Sequence, residues 1–305
     1  MSRGNHKSTQ GTTIMDLRKI LFVTKFEELW FDAVESLMDL RKASLEHVVF
    51  LNVIEREKVA LRRGKGYQKI EEVRLREMAN IRFINWAETL FEKGLEVGAY
   101  IVVGSLVKQV ITAVEKEDID LVVVGHEKKG RIEQLYSSSG ILEIIRRSQT
   151  PVLVYKYKPD NTIAVEKPFD RPLLATCFSK TDQRAIEYLK RMAPVIKKVT
   201  IIHVGDPKSL KGSSAMGVQK TRKDIRRKLD DLCDMLIAEG IDASPAVYVG
   251  NPAKEIVMAA KECNATMVIT GTSSNPSLKE KLIGSTPRYL AEKTILPTLL
   301  IPPVT

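Results

Sequence analysis

Residues 121–150 read LVVVGHEKKGRIEQLYSSSGILEIIRRSQT, and residues 267–296 read MVITGTSSNPSLKEKLIGSTPRYLAEKTIL. Each stretch begins with an apolar run that ends near a glycine, then passes through a polar loop into a helix-like segment. A proline and a second apolar run follow each one. The interval from Gly125 to Pro151 equals the interval from Gly271 to Pro297. The chain therefore repeats one pattern at an offset of 146, which indicates an internal duplication.

The composition fits an ordinary soluble globular protein, with 44% hydrophobic and 28% charged residues. A length of 305 residues favours two domains. No apolar run approaches the ~20 residues of a membrane-spanning helix. The N-terminal residues lack the apolar core of a secretory signal. Three widely spaced cysteines and four scattered histidines argue against a disulfide framework or a metal cluster. We therefore expect a cytoplasmic protein.

The net charge of +10 is spread along the chain rather than gathered in one segment. A basic run, KTRKDIRRK at residues 220–228, is interrupted by Asp224 and contains no aromatic residue that could stack on bases. A solvated helix face explains this pattern better than a nucleic-acid surface. The sequence names no protein partner.

Apolar runs and helix-like segments alternate along the first half of the chain. Near-continuous runs of Val, Ile and Leu indicate strands buried on both faces, which is typical of a parallel sheet covered by helices. Right-handed crossovers then favour a doubly wound sheet. The predicted strands are residues 19–24, 47–54, 98–103, 118–124 and 152–155.

The pattern then restarts in the second half. Residues 172–176 match the first strand at an offset of 152, residues 199–204 match the second at 151, and Gly250 matches Gly104 at 146. A short deletion in a surface connection accounts for the change in offset at little thermodynamic cost. We predict a disordered tail, a first domain, a linker and a second domain, with bounds 1–16, 17–157, 158–170 and 171–305.

The loop after the fourth strand of the second half predicts an anion site. A strand end, a glycine and a helix N-terminus place unpaired N–H groups and the positive end of a helix dipole at the carboxyl edge of the sheet. Ser285 and Thr286 offer hydroxyls to phosphate or cap the helix. The alternative is that Gly271 and Gly284 only form turns. Neither a Walker A motif nor a dinucleotide fingerprint is present.

From residue 17 to residue 303, the order of these motifs resembles a tandem member of the universal stress protein (UspA) family. That family carries the loop G-x2-G-x9-G-[ST]. The second copy keeps this spacing with serine in place of the middle glycine, at Gly271, Ser274, Gly284, Ser285 and Thr286. In the first copy the same register gives Gly125, Lys128, Ser138 and Ser139. An alternative alignment of the first copy through Gly130 and Gly140 needs an insertion and a compensating deletion.

The resemblance implies a strand order of 3-2-1-4-5 in each domain. It also implies an intramolecular pseudo-dimer of the two repeats, with the fifth strands as the contact edge, and it leaves open a homodimer. ATP or a related adenine nucleotide, with magnesium, is implied as the ligand of the second domain. Ala175, the backbone at Val204, and Thr270 would line its pocket. The family's aspartate after the first strand is replaced by Lys25 and Cys177, and neither accepts a ribose hydrogen bond as a carboxylate does.

Three functions follow from this sequence. The first is a stress-response protein whose second domain binds a regulatory nucleotide. The second is an interaction scaffold with decayed pockets, and the third is a slow ATPase. No nucleophile, base and acid occur together at the predicted strand ends, so no catalytic residue is predicted. For Cys177, we expect a core cysteine rather than a reactive thiol.

Overall fold

A computed structural model describes residues 17–24, 29–60, 67–126, 138–157, 165–207, 215–272 and 283–303. The predicted tail, most of the predicted linker and the loop of residues 273–282 lie outside the described residues. Of the predicted site residues, Lys25, Lys128 and Ser274 also lie outside them, as does the side chain of Ser138.

Each half of the chain forms five strands. The first half contributes β1 (Lys19–Val23), β2 (His47–Glu55), β3 (Glu96–Gly104), β4 (Leu121–His126) and β5 (Val152–Lys156). The second half contributes β6 (Pro172–Ala175), β7 (Lys198–Gly205), β8 (Asp242–Val249), β9 (Met267–Gly271) and β10 (Thr298–Ile301). The ten strands form one sheet in the order β3-β2-β1-β4-β5-β10-β9-β6-β7-β8. Each half therefore has the expected order 3-2-1-4-5.

Helices cover the sheet and connect the strands. They are α1 (Leu29–Ser36), α2 (Arg56–Val59), α3 (Lys69–Glu92), α4 (Leu106–Glu117), α5 (Ser138–Arg147), α6 (Lys180–Arg191), α7 (Ala215–Ile237), α8 (Pro252–Glu262) and α9 (Ser285–Lys293). Short 3-10 helices span Met38–Ala43 and Ala193–Val195. None of these described helices combines the length and the apolar character needed to cross a membrane.

The strand registers reproduce the offsets seen in the sequence. In the first half, Ile20 pairs with Leu121 and His47 pairs with Glu96. The equivalent pairs of the second half are Pro172 with Met267 and Lys198 with Asp242. The first strands thus differ by an offset of 152, the second strands by 151, and the third and fourth strands by 146. Because the first residues of α3 and α7 also differ by 146, the shortening lies between the second strand and this helix.

The two five-stranded units meet through β5 and β10, the only antiparallel strand pair among the described strands. Leu153 lies opposite Leu299, its own equivalent at an offset of 146. Around this pair the neighbours exchange, with Val152 opposite Leu300 and Val154 opposite Thr298. A pseudo-two-fold axis therefore passes beside Leu153, as in an isologous dimer contact.

Side chains also cross between the halves. The Arg184 guanidinium donates a 2.8 Å hydrogen bond to the carbonyl of Gln149, and the Tyr188 hydroxyl donates one of 3.2 Å to the carbonyl of Asp120. The buried amine of Lys156 donates to the carbonyl of Ala291 in α9. These bonds add directional contacts to the apolar strand junction.

The fourth strand begins later than the sequence pattern predicts. Asp118 has a φ of 50° and caps the C-terminus of α4, so the predicted strand 118–124 starts only at Leu121. The Asp120 carboxylate accepts hydrogen bonds from the backbone N–H groups of Arg18 and Lys19, at 2.9 and 2.8 Å. A left-handed cap and a side chain bound to another strand therefore replace the first residues of the predicted strand.

Candidate functional site

The candidate site of the second half lies where its strand order reverses, between β6 and β9. Ala175 is the direct register partner of Thr270 across this pair, and both residues are buried. Ligands of doubly wound sheets bind beyond the carboxyl ends of strands at such a switch point. The structure thus brings two of the predicted pocket residues together at the expected edge.

The predicted lining residues share one face of the sheet near this edge. Ala175 belongs to an apolar cluster with Ile256 of α8 and Leu290 of α9, and Val204 packs against the same cluster. Since Thr270 is paired with Ala175 in a parallel sheet, it projects to the same face. That face is the side covered by α8 and α9.

Helix α9 presents an open N-terminus to this edge. Gly284 is its N-cap and donates a 3.0 Å hydrogen bond to the carbonyl of Thr272, which fixes the start of the helix beside the end of β9. No side chain within the described part of the chain caps this helix. Ser285 and Thr286 occupy the first two helical positions, where backbone N–H groups have no intrahelical partner. This geometry fits a phosphate group.

Two other helices of the same half begin differently. The Asn251 side chain accepts a 3.2 Å hydrogen bond from the Lys254 N–H at the start of α8. At α6, the Asp182 carboxylate accepts one of 2.6 Å from the Ser179 N–H. Amide or carboxylate oxygens of the protein thus bind N–H groups at the starts of α6 and α8, whereas no described side chain does so at α9.

Gly271 has a packing role that the sequence pattern does not reveal. A Cβ atom at this position would lie 2.9 Å from Cγ2 and 3.2 Å from Cβ of Thr181, on helix α6. Thr181 is buried, so it has little room to move away. The close approach of α6 therefore explains why a glycine stands at position 271, independently of any role of Gly271 in ligand binding.

We predict that Gly271→Ala lowers the free energy of unfolding by ~1–3 kcal/mol, because the added methyl group overpacks the contact with Thr181. Urea denaturation measures this change. Adding Thr181→Ser should restore part of the loss, because it removes Cγ2. Gly205→Ala is the matched control, since a Cβ there would meet nothing closer than 3.8 Å. Equal effects of Gly271→Ala and Gly205→Ala would contradict the packing role.

Cys177 takes the place of the family's aspartate, and the structure corrects its predicted environment. The residue is exposed, so the prediction of a core cysteine is wrong. Partial desolvation of the thiol, together with the nearby Asp182 carboxylate, raises the pKa of Cys177. A raised pKa disfavours the nucleophilic thiolate, so this position does not have the character of a reactive cysteine.

Asp182 does not substitute for the missing aspartate. Its buried carboxylate accepts hydrogen bonds from the Thr176 hydroxyl at 2.9 Å, the Cys177 N–H at 3.1 Å and the Ser179 N–H at 2.6 Å. These bonds hold the turn between β6 and α6. A carboxylate committed to three internal donors serves the fold rather than a ribose hydroxyl.

An aromatic stack that the sequence pattern does not predict lies on the opposite face of the edge. The Phe178 ring stacks on His203, with centroids 4.7 Å apart, and Lys228 of α7 places its Nζ 5.3 Å from the Phe178 centroid. Phe178 has a left-handed φ of 61°, and Nδ1 of His203 lies 2.9 Å from the Thr176 carbonyl. The stack occupies the α6–α7 side, which leaves the α8–α9 side for a ligand.

The corresponding edge of the first half keeps fewer of the motif's features. Gly125 lies buried in β4 and pairs with Tyr155 of β5. Ser139 is exposed in the first turn of α5. No glycine stands at position 138, the equivalent of Gly284.

The described residues hold other polar features away from these edges. An open cleft of about 520 Å³ lies beside the 3-10 helix Met38–Ala43, and charged groups of both signs line it. Its charged lining residues are Glu35, Asp39, Arg41, Lys42, Glu166 and Lys167. Within the ranges that the structure describes, no three His, Cys, Asp or Glu side chains gather to hold a metal ion.

The chain contains two copies of a doubly wound α/β unit, and each copy has a glycine at or near the end of its fourth strand. These features define a tandem α/β protein in which each copy has the sheet edge where such folds bind ligands. The model of the universal stress protein family matches residues 16–156 and again residues 168–302. The chain therefore belongs to the universal stress protein family.

Individual relatives correspond to one repeat or to both. The universal stress protein MJ0577 of Methanocaldococcus jannaschii is 26% identical over 155 residues, which cover 46% of this chain and 96% of that protein. YxiE of Bacillus subtilis is 23% identical over 146 residues, covering 44% and 99%. A universal stress protein from Archaeoglobus fulgidus has a similar structure, with a TM-score of 0.70 and 22% identity, over 94% of this chain and 97% of that chain. That structure shares the fold across both repeats.

Proposed function

We propose that this protein is a cytoplasmic stress-response protein whose second domain, residues 171–305, binds a regulatory adenine nucleotide such as ATP. The observation that carries the proposal is the N-terminus of α9, which lies at the switch point of the sheet and is capped by no side chain of the described residues. The backbone N–H groups of Ser285 and Thr286 would hold the phosphates, and their hydroxyls would add further bonds. A bound magnesium ion would neutralise part of the phosphate charge.

The remaining site residues would lie at different distances from the phosphates and would contact different parts of the nucleotide. Ala175, Thr270 and the backbone at Val204 would contact the nucleoside on the α8–α9 face. Gly271 and Ser274 would begin the loop that leads to Gly284. Cys177 would lie at the rim, where its thiol gives a weaker polar contact than a carboxylate. The phosphates, rather than the ribose, would therefore supply most of the affinity.

The first domain, residues 17–157, is proposed not to bind nucleotide. Of the three family glycines it keeps only Gly125, and Lys25, Lys128, Ser138 and Ser139 occupy the other motif positions. Its function would be to complete the paired architecture through β5. Without any nucleotide site, the protein would act as an interaction scaffold. The third candidate, a slow ATPase, has no general base among the residues described near the edge.

Isothermal titration of the full chain with ATP and magnesium tests the proposal. We expect saturable heat with one site per chain, and much weaker binding of adenosine, because adenosine lacks the phosphates that α9 would hold. Absence of heat and of any thermal shift with ATP would contradict nucleotide binding and leave the scaffold function. Phosphate release above that of a non-binding variant would instead support the ATPase.

A further inference from the structure

Helix α3 exposes large apolar side chains along the side that faces away from the sheet. Ile70, Ile81, Ile84 and Phe91 are 87%, 62%, 52% and 74% exposed. At 100° per residue, Ile70, Ile81 and Ile84 fall within about 60° of one another on the helix surface, and Phe91 adjoins them. We call these four residues the outer α3 face.

The opposite side of the same helix is already buried. Ala79, Trp86 and Leu90 face the core, and the Trp86 ring packs on Phe50 of β2 with centroids 5.5 Å apart. An isolated exposed apolar residue needs no explanation, but an apolar face opposite a filled core contact indicates a second partner.

Helix α7, the equivalent of α3 in the second repeat, lacks the two isoleucines at the centre of the outer α3 face. At the offset of 146, Ile81 and Ile84 correspond to Arg227 and Asp230 of α7, a residue pair typical of a solvated helix. The fold therefore does not require isoleucine at these two positions. The repeat-related helix also shows that a charged pair is compatible with this location.

We propose that the outer α3 face binds the same face of a second copy of this chain, with the two helices antiparallel. A two-fold axis near Ile81 brings the isoleucine pairs of the two copies together. Arg74 and Glu88 are exposed and stand at equal distances before and after this centre, and within its own helix the Arg74 guanidinium also forms an ion pair with Glu71. Antiparallel packing therefore places Arg74 beside Glu88 of the other copy, whereas parallel packing would place like charges together.

The size of the face sets the strength of the association. A helix of 24 residues is about 36 Å long, and a contact strip about 10 Å wide buries roughly 360 Å² per copy. That area is below the ~800 Å² per partner of a standard stable interface. The dimer should therefore be weak and reversible, and visible as a concentration-dependent mass.

The neighbouring sheet edge is a poorer candidate for the contact. Strand β3 lies at one end of the sheet, but Arg76 of α3 donates a hydrogen bond to the carbonyl of Ile101 in this strand. The helix thus already satisfies part of the hydrogen-bonding capacity of the edge strand. Contact through the helix face requires no displacement of that bond.

Analytical ultracentrifugation of the full chain over a wide concentration range tests the proposal. We expect the mass to rise from 34.3 kDa toward twice that value, and the double variant Ile81→Arg/Ile84→Asp to remain monomeric. Its unfolding midpoint should stay near that of the wild type, since α7 carries the same two side chains. The control Met216→Glu/Ile237→Glu, on exposed positions of α7, should associate as the wild type does.

Three results would overturn the proposal. The wild type could remain at 34.3 kDa throughout, or the double variant could associate as strongly as the wild type. A chain lacking residues 1–16 could dimerise while the full chain does not, which would assign the face to the chain's own N-terminal segment.

Oxidative cross-linking tests the orientation, with the wild-type chain and its native cysteines as background. Ile81→Cys should form a cross-linked dimer because this position lies near the axis. Ile70→Cys should not, because antiparallel packing separates the two copies of this position by roughly 33 Å. Cross-linking of Ile70→Cys, alone or together with that of Ile81→Cys, would contradict the antiparallel arrangement.

Discussion

Gly284→Glu is expected to abolish detectable ATP binding by the full chain, with affinity reduced by at least ~100-fold, or about 2.7 kcal/mol. The substitution places a carboxylate at the positive end of α9, where we propose that the phosphates bind. Gly284 has a φ of −59°, which any residue adopts, so the change should not strain the backbone. Isothermal titration with ATP and magnesium measures the loss.

The repeat supplies a matched control for this variant. Ser138→Glu introduces the same side chain at the equivalent position of the first domain, at the start of α5. ATP affinity should be unchanged there, because the proposed ligand is held only by the second domain. If Ser138→Glu weakened binding as much as Gly284→Glu, or if neither weakened it, the assigned position of the phosphates would be wrong.

Leu153→Asp is expected to destabilise the chain by roughly 4 kcal/mol or more, because it removes the apolar packing of a core leucine and buries a carboxylate without a designed partner. Leu153 is fully buried at the pseudo-two-fold axis, opposite Leu299 of the other domain. Because the contact joins the two domains, unfolding should also become less cooperative. Denaturant titration followed by circular dichroism measures both effects.

Val249→Asp controls for the effect of an acidic residue in a strand. Val249 lies in the outer strand β8 and is half exposed, so its replacement should change stability by less than ~1 kcal/mol. A similar small effect of Leu153→Asp would show that β5 and β10 do not form the junction in solution.

Much of the fold could be predicted from the sequence because strand registers depend on apolar patterns that both repeats preserve. The offsets of 152, 151 and 146 between equivalent residues reappear in the strand pairing, and Leu153 meets its own equivalent. Near-continuous apolar runs identify parallel strands buried on both faces. The order of those strands came from the family resemblance, since apolar patterns alone do not specify which strands are neighbours.

Element ends and single-residue environments could not be predicted in the same way. Asp118 ends α4 in a left-handed conformation that the apolar pattern 118–124 conceals. Cys177 lies just beyond the end of a short strand, and the turn at Phe178 carries it to the surface. Such turns depend on bonds to residues such as Asp182, which only the folded chain brings into place.

Features of the candidate site that belong to a single strand or helix could be predicted from the sequence. Contacts between segments that are distant in the sequence could not. The spacing of Gly271, Gly284 and Ser285 located the end of β9 and the start of α9. The contact of Gly271 with Thr181 depends on the docking of α6, and the stack of Phe178 on His203 depends on the register of β7. Both require side-chain positions that no local pattern encodes.

Native mass spectrometry of the full chain with ATP and magnesium tests most directly whether only the second domain holds nucleotide. We expect one nucleotide per chain for the wild type and for Ser138→Glu, and none for Gly284→Glu. Two nucleotides per chain, none at all, or retention of the ligand by Gly284→Glu would contradict this expectation.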